Sequence, residues 1–590
     1  MNFLRSFFAS VLGTLTAIGL FFAMIFLIIS AVASVLNSSE MGSSINSTSV
    51  LDLNLNLPVV ERAPAFDEVQ KILGLEEQVI GLPQLIKAIQ QAAEHPSIAG
   101  IRLRSDFVSA GWTQTHSIRN ALKKFKSKGK FIYAYGDVFT QKGYFLASVA
   151  DSVFLNPAGV FEFKGLASEV LYYKDFQEKY GFKMEVVRHG KYKSAVEPFL
   201  QNEMSEDNKT QISTLLNDLW VTLRDEIADE RNLTPETLDA LATSNAISIP
   251  QDAVNTSLID GLLYEDEVDQ LIKDRLEISE EDSFDKITVS RMNSSSPSYD
   301  SGIKDRIAVV FANGPILYGE GTETVIAQGV FIETLEKLAK DDWIKAIVLR
   351  VNSPGGSSLT SELLWRTLEN VKKTKPLIVS MGDVAASGGY YIATGAEYLF
   401  ADPMSITGSI GVFATLPNGK DFIESIGIHA QSVETHPNAL GYSPFQKMSK
   451  AFESQIQKGI EHTYGQFKER VAVGRSLGPE EVESLAQGRV WSGKKALELG
   501  LVDRLGDLQD AIAYAAERAG IEAYNVLPYP QFEENLENLL KGISPVLKGN
   551  TPLETLAAPL EPLFLKLENS PPHSIPNYIQ TLLPYELRIH

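Results

Sequence analysis

A serine followed by two glycines stands where a strand is expected to turn into a helix. Ser387-Gly388-Gly389 follows a buried strand predicted over 376–381 and a Gly-Asp-Val turn at 382–384. A serine hydroxyl in such a turn can attack a substrate carbonyl, and the amide of Gly388 can bind the developing oxyanion. Serine before a helix is also a common N-cap. The turn alone leaves both roles open.

A second glycine-rich loop precedes this turn in the chain. The strand predicted over 344–351 leads into a loop with the sequence Asn-Ser-Pro-Gly-Gly-Ser at 352–357. Two glycines after a proline let the backbone approach a ligand closely and aim an amide at it. Gly355 and Gly356 are therefore candidate donors of an oxyanion hole, and they favour the nucleophile role for Ser387.

The chain contains an internal repeat that relates Gly136 to Gly382, an offset of 246 residues. Residues 136–157 and 382–403 are identical at nine of 22 positions, where average composition would give about one or two. We interpret this as duplication of one ancestral domain. In the second copy, an amphipathic helix predicted over 361–372 follows the strand at 344–351 and precedes the strand at 376–381. This strand–helix–strand alternation, present in each copy, predicts an α/β fold with a parallel sheet.

The two copies differ where the chemistry is expected. Gln141 stands in the first copy at the position of Ser387, whereas the segment GKYKSAVEPF at 190–199 supplies Lys193 opposite Ala439. A lysine can act as the base for a serine nucleophile. None of the eight histidines lies in a recognisable motif, although chain order does not exclude a Ser-His-Asp triad. The reciprocal loss predicts one site that combines Lys193 with Ser387.

The composition argues against several other classes of function. Lys plus Arg number 53 against 74 Asp plus Glu, a net charge of -21 that argues against a nucleic-acid partner. The chain has no cysteine, which excludes disulfides, a cysteine nucleophile and thiolate metal sites. It also lacks a phosphate-binding P-loop motif and an HExxH motif. We therefore expect no cofactor and no metal.

The amino-terminal segment predicts a membrane anchor. No charged residue occurs between Arg5 and Glu40, and the apolar stretch 7–36 is long enough to cross a bilayer. A cleaved signal peptide, with Ala-Val-Ala at 31–33 as its cleavage site, is the alternative, but its apolar region is normally shorter. The positive-inside rule keeps residues 1–6 cytoplasmic and places the bulk of the chain across the membrane.

Five longer motifs resemble those of one family. On these motifs the chain resembles the bacterial signal peptide peptidase A family, in its long, tandemly duplicated, membrane-anchored form, over roughly residues 50–525. The motifs are VNSPGGS at 351–357, MGDVAASGGYY at 381–391, TGSIGVF at 407–413, GKYKSAVEPF at 190–199 and GRVWSGKKALELGLVDRLG at 488–506.

The resemblance implies two tandem domains with a ClpP/crotonase-like fold after one transmembrane helix. We expect a domain with the lysine at 50–290, a linker at 291–302, a domain with the serine at 303–525 and an unassigned extension at 526–590. The implied activity is that of a serine endopeptidase with a Ser/Lys dyad. Its implied residues are Ser387 as nucleophile, Lys193 as general base, the amides of Gly388, Gly355 and Gly356 as oxyanion hole, and Ser409 as the group that orients the lysine.

The resemblance also implies substrates, partners and a location. The substrates would be cleaved signal peptides and other apolar peptides, and the protein would be a homo-oligomer, a tetramer in the duplicated family members. It would be a single-pass protein of the bacterial inner membrane, in contact with the bilayer through 7–36 and with most of the chain on the periplasmic side. Two alternatives remain open from the residues alone: a crotonase-like enzyme acting on acyl-coenzyme A, and a non-catalytic membrane scaffold.

Overall fold

The chain folds into two compact units that are not continuous in sequence. The computed structural model describes residues 47–63, 79–279, 281–295, 299–532 and 580–582, with seven single residues before 47. The first unit takes its described residues from 1–109, 118–161 and 249–298, and the second from 110–117, 162–248 and 299–590. Residues 162–248, which lie within the predicted first domain, therefore group with the second unit.

The regular elements of both units are numbered in chain order. The strands are β1 (Ser49–Asn54), β2 (Val59–Val60), β3 (Ile80–Gly81), β4 (Ile98–Arg104), β5 (Phe131–Phe139), β6 (Ser152–Phe161), β7 (Lys183–His189), β8 (Gly261–Leu262), β9 (Asp285–Ile287), β10 (Arg306–Asn313), β11 (Ile344–Ser353), β12 (Gly355–Ser357), β13 (Leu377–Ala386), β14 (Tyr398–Ala401), β15 (Ile406–Gly408), β16 (Val412–Asn418), β17 (Val490–Ser492), β18 (Arg504–Leu505), β19 (Asn525–Tyr529) and β20 (Gln580–Leu582).

The α-helices of the described residues from 47 onward are numbered separately. They are α1 (Leu82–Glu94), α2 (Trp112–Lys126), α3 (Gln141–Ala147), α4 (Lys174–Tyr180), α5 (Glu197–Leu200), α6 (Glu206–Arg231), α7 (Pro235–Ser244), α8 (Pro250–Asn255), α9 (Glu265–Arg275), α10 (Val289–Ser294), α11 (Gln328–Lys340), α12 (Ser358–Val371), α13 (Gly388–Ala393), α14 (Lys420–Ser425), α15 (Lys450–Arg475), α16 (Pro479–Leu485), α17 (Gly493–Glu498) and α18 (Leu508–Ala519).

A six-stranded parallel sheet forms the centre of the first unit. Its strand order is β8-β6-β5-β4-β1-β9, and every neighbouring pair is parallel. The strand β4 is buried at Ile98, Ile101 and Leu103, as expected for a strand inside a parallel sheet.

A larger sheet in the second unit repeats this order. Successive parallel pairings join β18, β14, β13, β11, β10 and β19, which matches the first sheet strand for strand. Alternate residues of β10 enter two hydrophobic clusters: Ala308 and Val310 lie in one, and Ile307 and Val309 in the other. Both faces of the sheet are therefore covered by apolar side chains. The shared strand order shows that the two sequence repeats also have the same sheet topology.

The second unit also has a small antiparallel sheet with the order β12-β20-β16-β7. The strand β16 pairs with β7 along its whole length, from Val412 opposite His189 to Asn418 opposite Lys183. This pairing draws residues around 190 toward the strands of the later repeat. It explains why 162–248 groups with the second unit.

The predicted anchor at 7–36 lies for the most part outside the described residues. Among the residues that are described, no helix is both long enough and apolar enough to cross a membrane.

Candidate active site

Ser387 lies in a strained turn between β13 and α13. Its backbone has φ 55° and ψ -117°, a conformation that is uncommon for a residue with a side chain and is typical of functional turns. The Ser387 amide donates a hydrogen bond to the Gly408 carbonyl at 2.8 Å. Ser387 precedes the helix, but its side chain makes no capping hydrogen bond. The N-cap alternative therefore does not describe this residue.

The Lys193 amino group reaches this turn from 194 positions earlier in the chain. Its Nζ lies 2.8 Å from Ser387 Oγ, 2.9 Å from Ser409 Oγ and 3.1 Å from the Ser409 carbonyl oxygen. The structure thus brings together three of the residues singled out in the sequence. All three belong to the second unit.

Burial favours the neutral form of Lys193. The residue has no exposed surface, and the loss of hydration lowers its pKa well below the ordinary value. A neutral amine has two N–H groups and one lone pair. If the N–H groups bond the hydroxyl and the carbonyl of Ser409, the lone pair faces the Ser387 hydroxyl. This arrangement suits removal of a proton from Ser387.

Local contacts fix the chain around Lys193. The strand β7 ends at His189, and a 3-10 turn begins at Ser194. Gln211 of α6 donates from Nε2 to Ser194 Oγ at 3.2 Å and accepts the Val490 amide at 2.9 Å. Gln211 therefore links the turn that follows Lys193 to β17. The strand β17 pairs with β15, which ends one residue before Ser409.

Two glycines line the backbone and stem of Lys193, and neither was given a role in the sequence analysis. A Cβ atom on Gly488 would lie 2.6 Å from Lys193 Cβ, and one on Gly411 would lie 3.2 Å from Lys193 Cδ. The ring centroid of Phe413 lies 5.9 Å from Lys193 Nζ. Gly488 is the first residue of the motif at 488–506, but its contact with Lys193 is seen only in the folded structure.

We expect Gly488→Ala to impair the site without unfolding the protein. The new methyl group would collide with Lys193 at a position whose φ is +81°, and a displacement of about 1 Å in such a site can lower the rate by about 10²-fold. The measurement is kcat/KM, together with the melting temperature. Gly465→Ala is the matched control, because a Cβ atom there meets nothing within 4 Å. Equal activity of the two variants would contradict the expectation.

The glycine-rich loop lies beside the serine turn. Ser353 pairs with Ala385 across the sheet, and a Cβ atom on Gly389 would lie 2.7 Å from the Ser353 carbonyl oxygen. The Gly355 amide donates to Ser353 Oγ at 3.2 Å. The structure therefore places the loop of Gly355 and Gly356 next to the turn that carries Ser387 and Gly388.

A buried histidine in the second unit is held by two carboxylates. His116 Nδ1 lies 2.6 Å from Asp402 Oδ2, and Nε2 lies 2.7 Å from Glu226 Oε1. Burial opposes protonation, but the two negative charges raise the pKa of His116 to about 10. A charged imidazole that donates both N–H groups has no lone pair for a proton. His116 is therefore not the base of a Ser-His-Asp triad.

Comparison with known proteins identifies the chain's relatives. Residues 124–279 and 369–522 match the model of peptidase family S49, and residues 300–405 match that of Clp protease. The chain is 35% identical over 467 residues to Protease 4 of Salmonella typhi, covering 77% of this chain and 75% of that protein.

Two further relatives are similar over most of their length. Protease 4 of Haemophilus influenzae is 35% identical over 450 residues, which are 73% of this chain and 72% of that protein. The chloroplastic serine protease SPPA of Arabidopsis thaliana is 31% identical over 476 residues, which are 79% of this chain and 70% of that protein.

These matches confirm the family resemblance and the serine-peptidase activity predicted from the motifs. The structure is mixed α/β, and the matches cover two S49 regions and one Clp-protease-like region. The chain belongs to peptidase family S49 and is a serine peptidase.

Proposed function

We propose that this serine peptidase is a membrane-anchored endopeptidase that degrades cleaved signal peptides and other apolar peptides with a Ser387/Lys193 dyad. The observation that carries the proposal is the 2.8 Å contact between Ser387 Oγ and the fully buried Nζ of Lys193. The substrate class rests on the motif resemblance to the signal peptide peptidase A family.

The mechanism begins with attack by Ser387. Lys193 Nζ removes the hydroxyl proton as Ser387 Oγ bonds to the substrate carbonyl carbon. The resulting oxyanion is stabilised by the amide of Gly388 and by an amide of the Gly355–Gly356 pair. As the peptide bond breaks, the Lys193 ammonium gives its proton to the departing amine, and an acyl-enzyme remains.

A water molecule completes the reaction. Lys193, neutral again, accepts a proton from the water that attacks the acyl carbon, and it returns that proton to Ser387 Oγ as the acid product leaves. Ser409 holds the amine through its hydroxyl and carbonyl oxygens throughout. One peptide bond and one water are consumed in each cycle, without a metal or cofactor.

The proposal also covers organisation and location. Two ClpP/crotonase-like domains at 50–290 and 303–525 arose by duplication, and the repeated strand order supports this origin. The stretch 7–36 anchors the protein in the bacterial inner membrane, with the bulk of the chain in the periplasm. The assembled form is a homotetramer.

The activity should depend on pH through one ionisation. Only neutral Lys193 can accept the Ser387 proton, and burial lowers the pKa of Lys193. We expect kcat/KM to fall tenfold per pH unit below that pKa and to reach a plateau above it. A profile that stays flat from about pH 5 to 9 would contradict a lysine base with a pKa in the usual range for such bases.

The substrate class is tested with two peptides of equal length. One is an apolar signal-peptide core, and the other has alternate apolar residues replaced by Ser and Gln. With the full-length protein in detergent, we expect kcat/KM to be at least about tenfold higher for the apolar peptide, which corresponds to about 1.4 kcal/mol. Equal or better cleavage of the polar peptide would overturn the substrate assignment and leave the peptidase activity standing.

A further inference from the structure

Arg489 is bonded through its backbone to the residue that holds the lysine amine. The Arg489 carbonyl accepts the amide of Ser409 at 2.6 Å. Two positions earlier, the Gln487 carbonyl accepts the amide of Tyr192, the residue before Lys193, at 2.9 Å. The backbone around Arg489 is therefore in contact with both segments that fix the position of the lysine.

The side chain of Arg489 lies over two aromatic rings. Its Cζ is 5.1 Å from the ring centroid of Tyr192 and 4.2 Å from that of Trp491. Its Nε is buried without a hydrogen-bond partner, and no ion pair of Arg489 is found in the described part of the chain. A planar guanidinium stacks favourably on aromatic faces. The two rings, rather than a carboxylate, hold this side chain, and we call the three residues the arginine cluster.

Both rings of the arginine cluster adjoin the dyad. Tyr192 immediately precedes Lys193 in the chain. Trp491 packs so closely on Gly408 that a Cβ atom there would lie 2.7 Å from Trp491 Cδ1. The Gly408 carbonyl in turn accepts the Ser387 amide at 2.8 Å. One ring thus bears on the base and the other on the turn of the nucleophile.

The two serines of the site need such support because of their backbone conformation. Ser387 has a φ of 55° and Ser409 a φ of 52°, and residues with side chains keep a positive φ only where neighbouring contacts hold them. The Ser409 hydroxyl and carbonyl bond Lys193 Nζ at 2.9 and 3.1 Å. A shift of Ser409 would therefore move the amine. The carbonyl of Arg489 and the ring of Trp491 are contacts that oppose such a shift.

We propose that Arg489 is a positioning residue, which aligns the dyad by holding the rings of Tyr192 and Trp491 in place. It acts through these rings and through the Ser409 amide, not on the reacting atoms. The inference rests on the proposed function, because it concerns the same dyad. It gives a role to the second residue of the motif at 488–506.

The first test is Arg489→Met, which keeps an apolar stem and removes the planar cation. We expect kcat to fall by about 10- to 100-fold, because a displacement of about 1 Å in such a site can lower the rate by about 10²-fold. KM should stay within about twofold, since no substrate contact is removed. Arg489→Lys keeps the charge without the planar group and should lose most of the same factor.

The matched control is Arg504→Met. Arg504 belongs to the same motif and lies over the ring of Phe400, with its Cζ 5.8 Å from the centroid. Its loss removes a comparable contact away from the dyad and should leave kcat within about twofold of the wild type. Melting temperatures of all variants check that the proteins fold. A decrease in kcat that is equal in Arg504→Met and Arg489→Met would overturn the inference.

A double-mutant cycle shows whether Arg489 acts through the ring. Tyr192→Leu should lower kcat, and Tyr192→Phe, which keeps the ring, should recover most of that loss. Residues that act through one contact are not additive. Tyr192→Leu combined with Arg489→Met should therefore lose no more than about twofold beyond the larger single effect. Losses that multiply would show two independent stabilising residues and would overturn the proposal.

Labelling by a serine-directed phosphonate separates this inference from the proposed function. We expect slow labelling of Ser387 in Lys193→Met, and in Arg489→Met a decrease by the same factor as in kcat. Wild-type labelling and cleavage by both Arg489 variants, with slow labelling of Lys193→Met, would overturn the inference and leave the dyad standing. Wild-type labelling of Lys193→Met would overturn both. If Arg489→Met does not fold, Arg489→Lys and Tyr192→Leu are judged by the same outcomes.

Discussion

Ser387→Ala is expected to lower kcat for peptide cleavage by about 10⁴–10⁶-fold, because removal of the nucleophile of a serine peptidase leaves only binding and oxyanion stabilisation. Alanine adopts the backbone conformation of residue 387 no more easily than serine, so the turn keeps the same strain. Fold and stability should change little. The measurement is single-turnover cleavage of an apolar peptide, with the melting temperature as a check on folding.

The matched control for this substitution is Ser425→Ala. Ser425 donates its hydroxyl to the Phe422 carbonyl at 2.7 Å on an exposed helix, so its loss should leave the activity unchanged. A serine-directed phosphonate should label the wild type and Ser425→Ala at residue 387, and leave Ser387→Ala unlabelled. Cleavage by Ser387→Ala within tenfold of the wild-type rate would contradict the role assigned to this serine.

Lys193→Met is expected to lower kcat/KM by about 10²–10⁴-fold, the usual contribution of a general base. Methionine has a similar length and no ionisable group, so it fills the buried site without a charge. Burial that lowers the pKa of Lys193 also costs stability at every pH below the unfolded pKa of about 10.4. Between the lowered pKa of the folded state and the pKa of the unfolded chain, the unfolded chain binds more protons. Over that range, wild-type stability should rise with pH relative to the variant.

Lys191→Met is the matched control for the base. Lys191 lies two positions earlier in the same motif, with a side chain that is 57% exposed and 3.7 Å from Asp207. It should retain wild-type activity and the wild-type pH profile. In Lys193→Ala, which leaves space where the amine was, small primary amines should restore part of the rate. Full activity of Lys193→Met would show that the base lies elsewhere.

Much of the parallel framework follows from local sequence patterns. The apolar run that predicted a strand over 344–351 forms β11, and the amphipathic stretch predicted over 361–372 forms α12. The helix begins earlier than predicted because Ser357 caps it, accepting the Thr360 amide. Comparison of the two repeats also singled out Lys193 and Ser387, which the structure places in hydrogen-bond contact.

Other features depend on contacts that leave no local signal. The pairing of β7 with β16 joins segments that are more than 200 residues apart. The sequence of neither segment predicts the strand with which it pairs. Gly488 has the left-handed backbone of many loop glycines, but its contact with Lys193 exists only after those strands pair. The pairing of β20 with β12 and β16 likewise leaves no signal in the sequence, because any extended segment offers the same backbone groups.

The distance in sequence between Lys193 and Ser387 bears on when the peptidase becomes active during synthesis. The turn that carries Lys193 is complete only when Gly488, which lies against it, and the neighbouring β17 have been synthesised. Both lie about 300 residues after Lys193 in the chain. At about 5–20 residues per second, that interval lasts roughly 15–60 s. During that interval the nascent chain carries first Lys193 without Ser387, and then the turn of Ser387 without Gly488 and β17. If Ser387 and Lys193 form the proposed dyad, we therefore expect peptide-bond hydrolysis to begin only after almost the whole folded core has been made. Unfinished neighbouring chains would then not be exposed to an active peptidase.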